Sequence, residues 1–155
     1  MITVPERFVP FSIEGLSLAI PLEKAERVIP AIEVSALPNA PAAVLGVINL
    51  GGRVIPVFDL RKRFGLPEKE LLPEHRMIIA GASRRTVALV ADGVDGVIEA
   101  GPEALAPSGE VLSGLAHVKG ILKTQSGMLI IQDLDSFLSI EEESGLASAL
   151  EGRKS

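Results

Sequence analysis

The sequence predicts a mainly β protein assembled from two copies of one small β unit, and three observations carry that prediction. Apolar residues recur with the period of two that strands require, in short runs cut by Gly and Pro at the roughly 8–12-residue spacing of small barrels or sandwiches. A fifteen-residue stretch, Gly46–Leu60, recurs as Gly120–Leu134 at a constant offset of 74 with no gap. The chain of 155 residues is 47% apolar and only 23% charged, and its mean hydropathy of +0.38 demands either extensive cores or apolar contact with another protein.

The elements follow in order. Val9, Phe11 and Ile13 alternate with Pro10 and Ser12, and after Glu14-Gly15 the residues Leu16, Leu18 and Ile20 alternate with Ser17 and Ala19. Two such runs joined by a two-residue, Gly-containing connection predict a β-hairpin. Further strands are expected at Glu26–Pro30, Leu45–Asn49, Arg53–Phe58, Met77–Ala82, Thr86–Ala91, Val94–Glu99, Val118–Lys123 and Met128–Gln132. Asp59 is placed to cap a single helical turn, Leu60–Phe64, that Gly65 ends. Asp133 is placed to cap a longer helix in which Leu134, Phe137 and Leu138 share a face. Gly101–Gly114, with Pro102, Pro107, Gly109 and Gly114, reads as a connector between strands. Leu146 and Leu150 permit a further helical stretch in the charged tail. The expected organisation is one domain over 1–140, made of two subdomains, and a C-terminal helix or tail over 141–155.

The repeat agrees in detail. Asp59 meets Asp133, Leu60 meets Leu134, and Val54, Ile55 and Val57 meet Met128, Leu129 and Ile131. Each copy reads strand, polar Gly turn, strand, Asp cap. A vaguer echo links Leu18–Ile29 with Val87–Ile98, where an alternating run leads through a short polar segment into Val-Ile.

Composition excludes much chemistry. With no Cys there is no disulfide, thiolate nucleophile or sulfur-ligated metal. Five Phe without Trp or Tyr leave no aromatic cage or base-stacking platform. A net charge of −5 opposes a nucleic-acid or anionic-membrane partner. The longest weakly polar stretch, Ala40–Leu50, is far short of the ~20 residues of a spanning helix, and no secretory signal opens the chain, so a cytoplasmic protein is expected. His75 and His117 lack ligand-spaced partners and read as solvated turn residues. Asp92-Gly93-Val94-Asp95-Gly96 fits a turn better than a calcium loop or an acid–base pair. Arg61-Lys62-Arg63 and Glu141-Glu142-Glu143 read as solvated faces. Neither a nucleophile elbow nor a phosphate loop is present. A non-enzymatic protein-interaction module without cofactor or metal is the reading that remains.

Gly46-Val-Ile-Asn-Leu-Gly-Gly-Arg-Val-Ile-Pro-Val-Phe-Asp-Leu-Arg61, followed by Phe64-Gly65, resembles the central motif of the CheW chemotaxis adaptor family. Leu18–Ile29, Leu37-Pro-Asn-Ala-Pro41, Val90–Val97 and the stretch from Ser113 to Leu122 resemble further family segments in the family's order, so the similarity runs from about Arg7 to Leu138. The resemblance implies two intertwined SH3-like five-stranded β-barrels with short helices and a C-terminal helix. It implies an adaptor that binds the regulatory domain of a CheA-type histidine kinase and the cytoplasmic tip of methyl-accepting chemoreceptors, a helical hairpin received in an apolar groove. Carried over by position, Arg27, Val28, Ile29, Gly46, Val47, Asn49, Gly51, Gly52 and Arg53 form the implied protein-binding set.

Structural roles compete at several of these positions. Gly46 and Gly52 equally suit turns or bulges, Val28 and Val47 suit core, and Asn49 suits fixing the turn that follows it. Pro56 points to an edge or bulge position. Two departures stand out: Gly51 occupies the family's Arg position, with an Arg two places later as Arg53, and Arg27 stands where an acidic residue is common, with no evident replacement for the lost carboxylate. Two other readings stay open, a CheW-like scaffold that binds a kinase or another CheW-like domain without receptors, and a small β-barrel ligand-binding protein or enzyme. The apolar excess is expected to fill two barrel interiors and to lie exposed around Val28, Ile29 and Val47.

Overall fold

The computed structural model describes residues 5–101, 104–106, 118–124, 127–134 and 140–154. Its strands are β1 (Glu6–Ile13), β2 (Leu16–Pro21), β3 (Ala25–Pro30), β4 (Val44–Leu50), β5 (Arg53–Phe58), β6 (Arg76–Gly81), β7 (Thr86–Ala91), β8 (Gly93–Val94), β9 (Ile98–Ala100), β10 (Leu105–Ala106), β11 (Val118–Thr124) and β12 (Gly127–Gln132). Among the described residues one α-helix, α1 (Ile140–Lys154), follows, and a 3₁₀ turn, Leu22–Lys24, joins β2 to β3. The expected hairpin forms with Ile13 opposite Leu16, and its turn residues Glu14 and Gly15 both have positive φ, as a two-residue hairpin turn requires.

Two sheets result. One runs β10-β11-β12-β2-β1-β8, with β9 also on β1, and the other runs β3-β6-β7-β5-β4. The second is built wholly from the chain between β2 and β8, so the first sheet is opened in sequence and closed again around it. That is the expected intertwining. Each sheet contains one parallel pair, Val57–Ala88 in one and Ile131–Ala19 in the other. These are equivalent positions: Val57 and Ile131 are mates in the main repeat, and Ala19 and Ala88 are mates in the echo. A register shift falls between Val44 and Gly46 in β4 and between Val118 and Gly120 in β11, again at repeat mates. The repeat seen as residue spacing is therefore a repeat of bulge, hairpin and crossover.

Strand ends depart from expectation in two places. The strand expected at Val94–Glu99 is two, β8 and β9, separated where Gly96 takes φ +74. Both pair with β1, Val94 opposite Phe11 and Ile98 opposite Phe8, so the break absorbs one extra residue as a bulge does. The connector Gly101–Gly114 contains β10, which pairs with β11 at Leu105–Leu122. The helix expected after Asp133 falls largely on 135–139, and His117 and the rest of the connector at 107–117 likewise lie outside the described residues.

The turn after Asp59 is one helical turn, as expected. Asp59 Oδ1 accepts the Arg61 N–H at 3.0 Å. Leu66 N–H reaches Arg61 O and Gly65 N–H reaches Lys62 O, the pair of bonds that closes a Schellman end with Gly65 at positive φ. Pro56 costs the β4–β5 ladder nothing. Its partner Val47 directs both backbone groups to Ser35 instead, so Pro56 lacks an N–H only on the side away from β4.

Three apolar cores stack through the molecule. Ile48, Ile55, Val57, Met77, Ile79, Ala88 and Val90 fill the second sheet's interior. Phe8, Ala19, Leu122, Leu129 and Ile131 fill the first. Between them lies the largest, where Phe11, Ile13, Leu18 and Ile20 of one sheet meet Phe58, Ile78, Val87 and Leu89 of the other, joined by Leu146 and Ala149 of α1. Strands such as β6 and β7 are thus buried on both faces, which turns alternation into continuous apolar runs. This shared layer, rather than surface, absorbs most of the apolar excess.

Candidate functional site

The site is built at the end of the second sheet where β3 and the β4–β5 hairpin approach each other. β3 ends the strand order, and most of its residues face outward. Its register slips between Ala25, opposite Ala80, and Arg27, opposite Ile79, so Glu26 is the extra residue of a bulge that re-aims its side chain. Arg27 is exposed, Val28 is 41% exposed, and Ile29 is half-buried against the second-sheet core.

Across from β3, Leu50 pairs with Arg53 and Gly51 and Gly52 form the tip, with φ of +60 and +92. Positive φ at both central residues is the signature of a type I′ hairpin turn. Open space surrounds both glycines, so the tip is bare backbone where the family motif carries an Arg. Asn49 Oδ1 accepts the Gly52 N–H at 2.8 Å, which fixes the turn; its turn-holding role is the one the geometry displays.

Arg53 connects the two elements. Its Nη1 donates to Glu26 Oε2 at 2.9 Å and its Nη2 to Thr86 Oγ1 at 3.1 Å. Glu26 and Thr86 were not among the sequence-predicted residues. Glu26, one place before Arg27, thus supplies a carboxylate on β3, and it is paired with Arg53.

Two expected site residues lie elsewhere. Val47, expected at the surface, is 1% exposed and belongs to the shared layer. Ser35 holds it from outside by two backbone bonds of 2.8 Å. In the middle of β4 both faces are taken, Val47 by the shared layer and Ile48 by the second core, so alternation does not bring Val47 out. Gly46 is buried behind the same segment: a Cβ there would stand 2.1 Å from Ser35 O and 2.8 Å from Val34 Cγ1. Its glycine is required by this close approach. Arg27, Val28, Gly51, Gly52 and Arg53 are all exposed, and the Arg53–Glu26 pair links β3 to the β4–β5 hairpin, while Ile29 is half-buried and Asn49 fixes the turn.

A second polar group corrects the solvated-face readings. Arg61 is 3% exposed and lies between Glu14 Oε1 at 2.6 Å and Asp92 Oδ1 at 2.5 Å. Asp92 Oδ2 accepts the Glu14 N–H at 2.8 Å. His75, expected in solvent, is also 3% exposed; its Nδ1 accepts the Leu72 N–H and its Nε2 stands 3.7 Å from Asp92 Oδ1. Burial would raise the Asp92 carboxyl, but the Glu14 N–H, the Arg61 guanidinium and His75 outweigh it and hold it below its ordinary value. Glu142 and Glu143 at the start of α1 are likewise paired, Glu142 with Arg63 and Glu143 with the Nε and Nη2 of Arg85. Burial holds the Arg63 guanidinium below its ordinary value, with Glu142 partly offsetting it. Such charges are invisible locally because their partners arrive from distant strands.

Among the described residues no group of three or more His, Asp or Glu is arranged to hold a metal, and no helix is long and apolar enough to cross a membrane. The site offers an exposed strand, a bare turn and a paired charge: a surface for recognising another protein.

Residues 7–142 match the model of the CheW-like domain. The chemotaxis protein CheW of Rhizobium meliloti is 33% identical over 108 residues, 68% of this chain and 70% of the relative. That of Klebsiella aerogenes is 29% identical over 142 residues, 90% of this chain and 86% of the relative. The crystal structure of the scaffolding protein TtCheW from Thermoanaerobacter tengcongensis superposes with a TM-score of 0.81 at 29% identity, covering 90% of this chain and 96% of that one.

Proposed function

The chain belongs to the CheW-like family, and on that footing we propose that it couples the cytoplasmic tip of chemoreceptors to the regulatory domain of a CheA-type histidine kinase. It is a non-catalytic chemotaxis adaptor, a scaffold whose work is done by surfaces. Residues 1–140 form the adaptor domain and 141–155 its C-terminal helix or tail, where Leu146 and Ala149 of α1 lie in the shared core. It works in the cytoplasm, beside the receptors' signalling tips.

One observation carries the receptor side of this reading. The exposed Arg27–Val28 stretch of β3 and the bare Gly51–Gly52 turn flank the Arg53–Glu26 pair, which links β3 to the β4–β5 hairpin. A helical hairpin laid there meets an apolar side chain beside charge, a combination that suits an amphipathic helical partner. Arg27, Val28, Gly51 and Gly52 make contact, Arg53 positions Glu26 beside them, Ile29 and Asn49 hold their strands in place, and Gly46 and Val47 support them from behind.

The Gly at position 51 favours a second reading, a scaffold that binds the kinase or another CheW-like domain without receptors. Co-sedimentation of the purified chain with receptor-tip fragments alone, with the kinase regulatory domain alone, and with both separates the two. Ternary pelleting is expected. Binding to the kinase domain but not to receptor tips selects the scaffold reading, and binding to neither overturns both.

A further inference from the structure

Three charges meet where β3 approaches the β4–β5 turn, and two of them cancel. Glu26, aimed by the bulge, is paired with Arg53 at 2.9 Å, and the other arm of that guanidinium is tied to Thr86 on β7. Arg27 follows Glu26 directly on the exposed strand. Among the described residues no carboxylate lies within ion-pair distance of Arg27. The surface around Val28 therefore presents one uncompensated positive charge beside an exposed apolar side chain.

Resting on the receptor-coupling reading above, we infer that this face selects a receptor tip that offers a carboxylate to Arg27. Arg53 makes the selection possible as a positioning residue. If Arg53 did not hold it, the Glu26 carboxylate would lie free beside Arg27 and weaken the attraction for an incoming acid. Charge complementarity of this kind sets partner choice more than bulk affinity, because a like charge placed opposite is strongly disfavoured.

The test uses the full chain and a recombinant helical-hairpin receptor-tip fragment in two forms, one with glutamates at its outward tip positions and one with those glutamates changed to lysine. Affinities are measured by titration calorimetry at low and moderate salt. The unmodified chain is expected to bind the acidic form at least about tenfold more tightly than the basic form, with the gap narrowing as salt rises. Arg27→Glu should invert the preference. Arg53→Ala should shrink it to about threefold or less while Arg27 is still present. Arg84→Gln, an exposed cation on the β6–β7 turn, should leave it unchanged, and thermal melts establish that all variants fold. Equal affinity of the unmodified chain for the two forms overturns the inference. So does an Arg27→Glu variant that keeps the original preference, or one that loses the kinase domain instead of the tip. Failure of the unmodified chain to bind either form overturns the receptor reading itself, and the inference with it.

Discussion

Arg61 Nη2 and Asp92 Oδ1 stand 2.5 Å apart, and this pair fastens the two sheets to each other. Arg61 follows β5 of the second sheet. Asp92 sits where the chain leaves β7 for β8, and Glu14, which binds both, belongs to the β1–β2 turn of the first sheet. The carboxylate also supports Glu14 at its positive φ of 50, a conformation that L residues adopt at a cost.

Asp92→Asn should destabilise the protein by about 2–3 kcal/mol at pH 7, because it strands a buried guanidinium with only one anionic partner. The pH dependence follows from the lowered carboxyl. A folded-state value below the ordinary 3.8 contributes stability that is fully present above that ordinary value and is lost as pH falls through the lowered one. Urea melts of the native protein should therefore show this contribution disappearing below about pH 4, while the Asn variant lacks that component of acid sensitivity.

Gly46→Ala should be among the most damaging single-methyl additions in the chain. Its Cβ would overlap the Ser35 carbonyl that bonds Val47, so the segment closing the second sheet must move, at a cost of about 3 kcal/mol. Gly52→Ala, with open space around it but φ +92, should cost about 1 kcal/mol. Denaturant midpoints of the two variants, compared at equal m-values, check the difference.

Truncations should separate the shared layer from the surface. Ile78→Ala removes a fully buried side chain between the sheets and is expected to cost about 2–5 kcal/mol. Val28→Ala should change stability by less than about 0.5 kcal/mol yet weaken receptor-tip binding measurably. A Val28→Ala variant that binds as well as the native chain would remove Val28 from the contact surface.

Arg53→Ala should leave stability within about 1 kcal/mol of the native chain. Both partners of its ion pair are nearly half exposed, and exposed pairs contribute little. A loss of several kcal/mol would instead make Arg53 a structural tie between β3, β5 and β7.

Much of the fold was legible in the residues. The Glu14-Gly15 turn, the Asp59 cap with its Gly65 end and the offset-74 repeat each have local causes, and each reappears in the structure with matching register. What was not legible arrives from a distance. Val47 follows the pattern of a surface-reaching strand residue, but the middle of β4, from Gly46 to Ile48, is buried between two cores. Arg61 and His75 sit in polar stretches that look solvated, while the groups that bury and pair Arg61 come from 47 and 31 residues away. At the candidate site the motif marked the right turn and strand. The pairing of Glu26 with Arg53 depended on a bulge that no spacing rule reports.

The coupling role is tested most directly by kinase autophosphorylation in a reconstituted system of receptor-containing membranes, CheA-type kinase and this chain. Adding the chain is expected to raise phosphorylation well above that of kinase with receptors alone, and attractant should reverse the gain. Arg27→Glu should abolish the stimulation while leaving binding of the kinase regulatory domain intact. Unchanged phosphorylation on adding the chain, with the kinase bound and the receptors present, would contradict it.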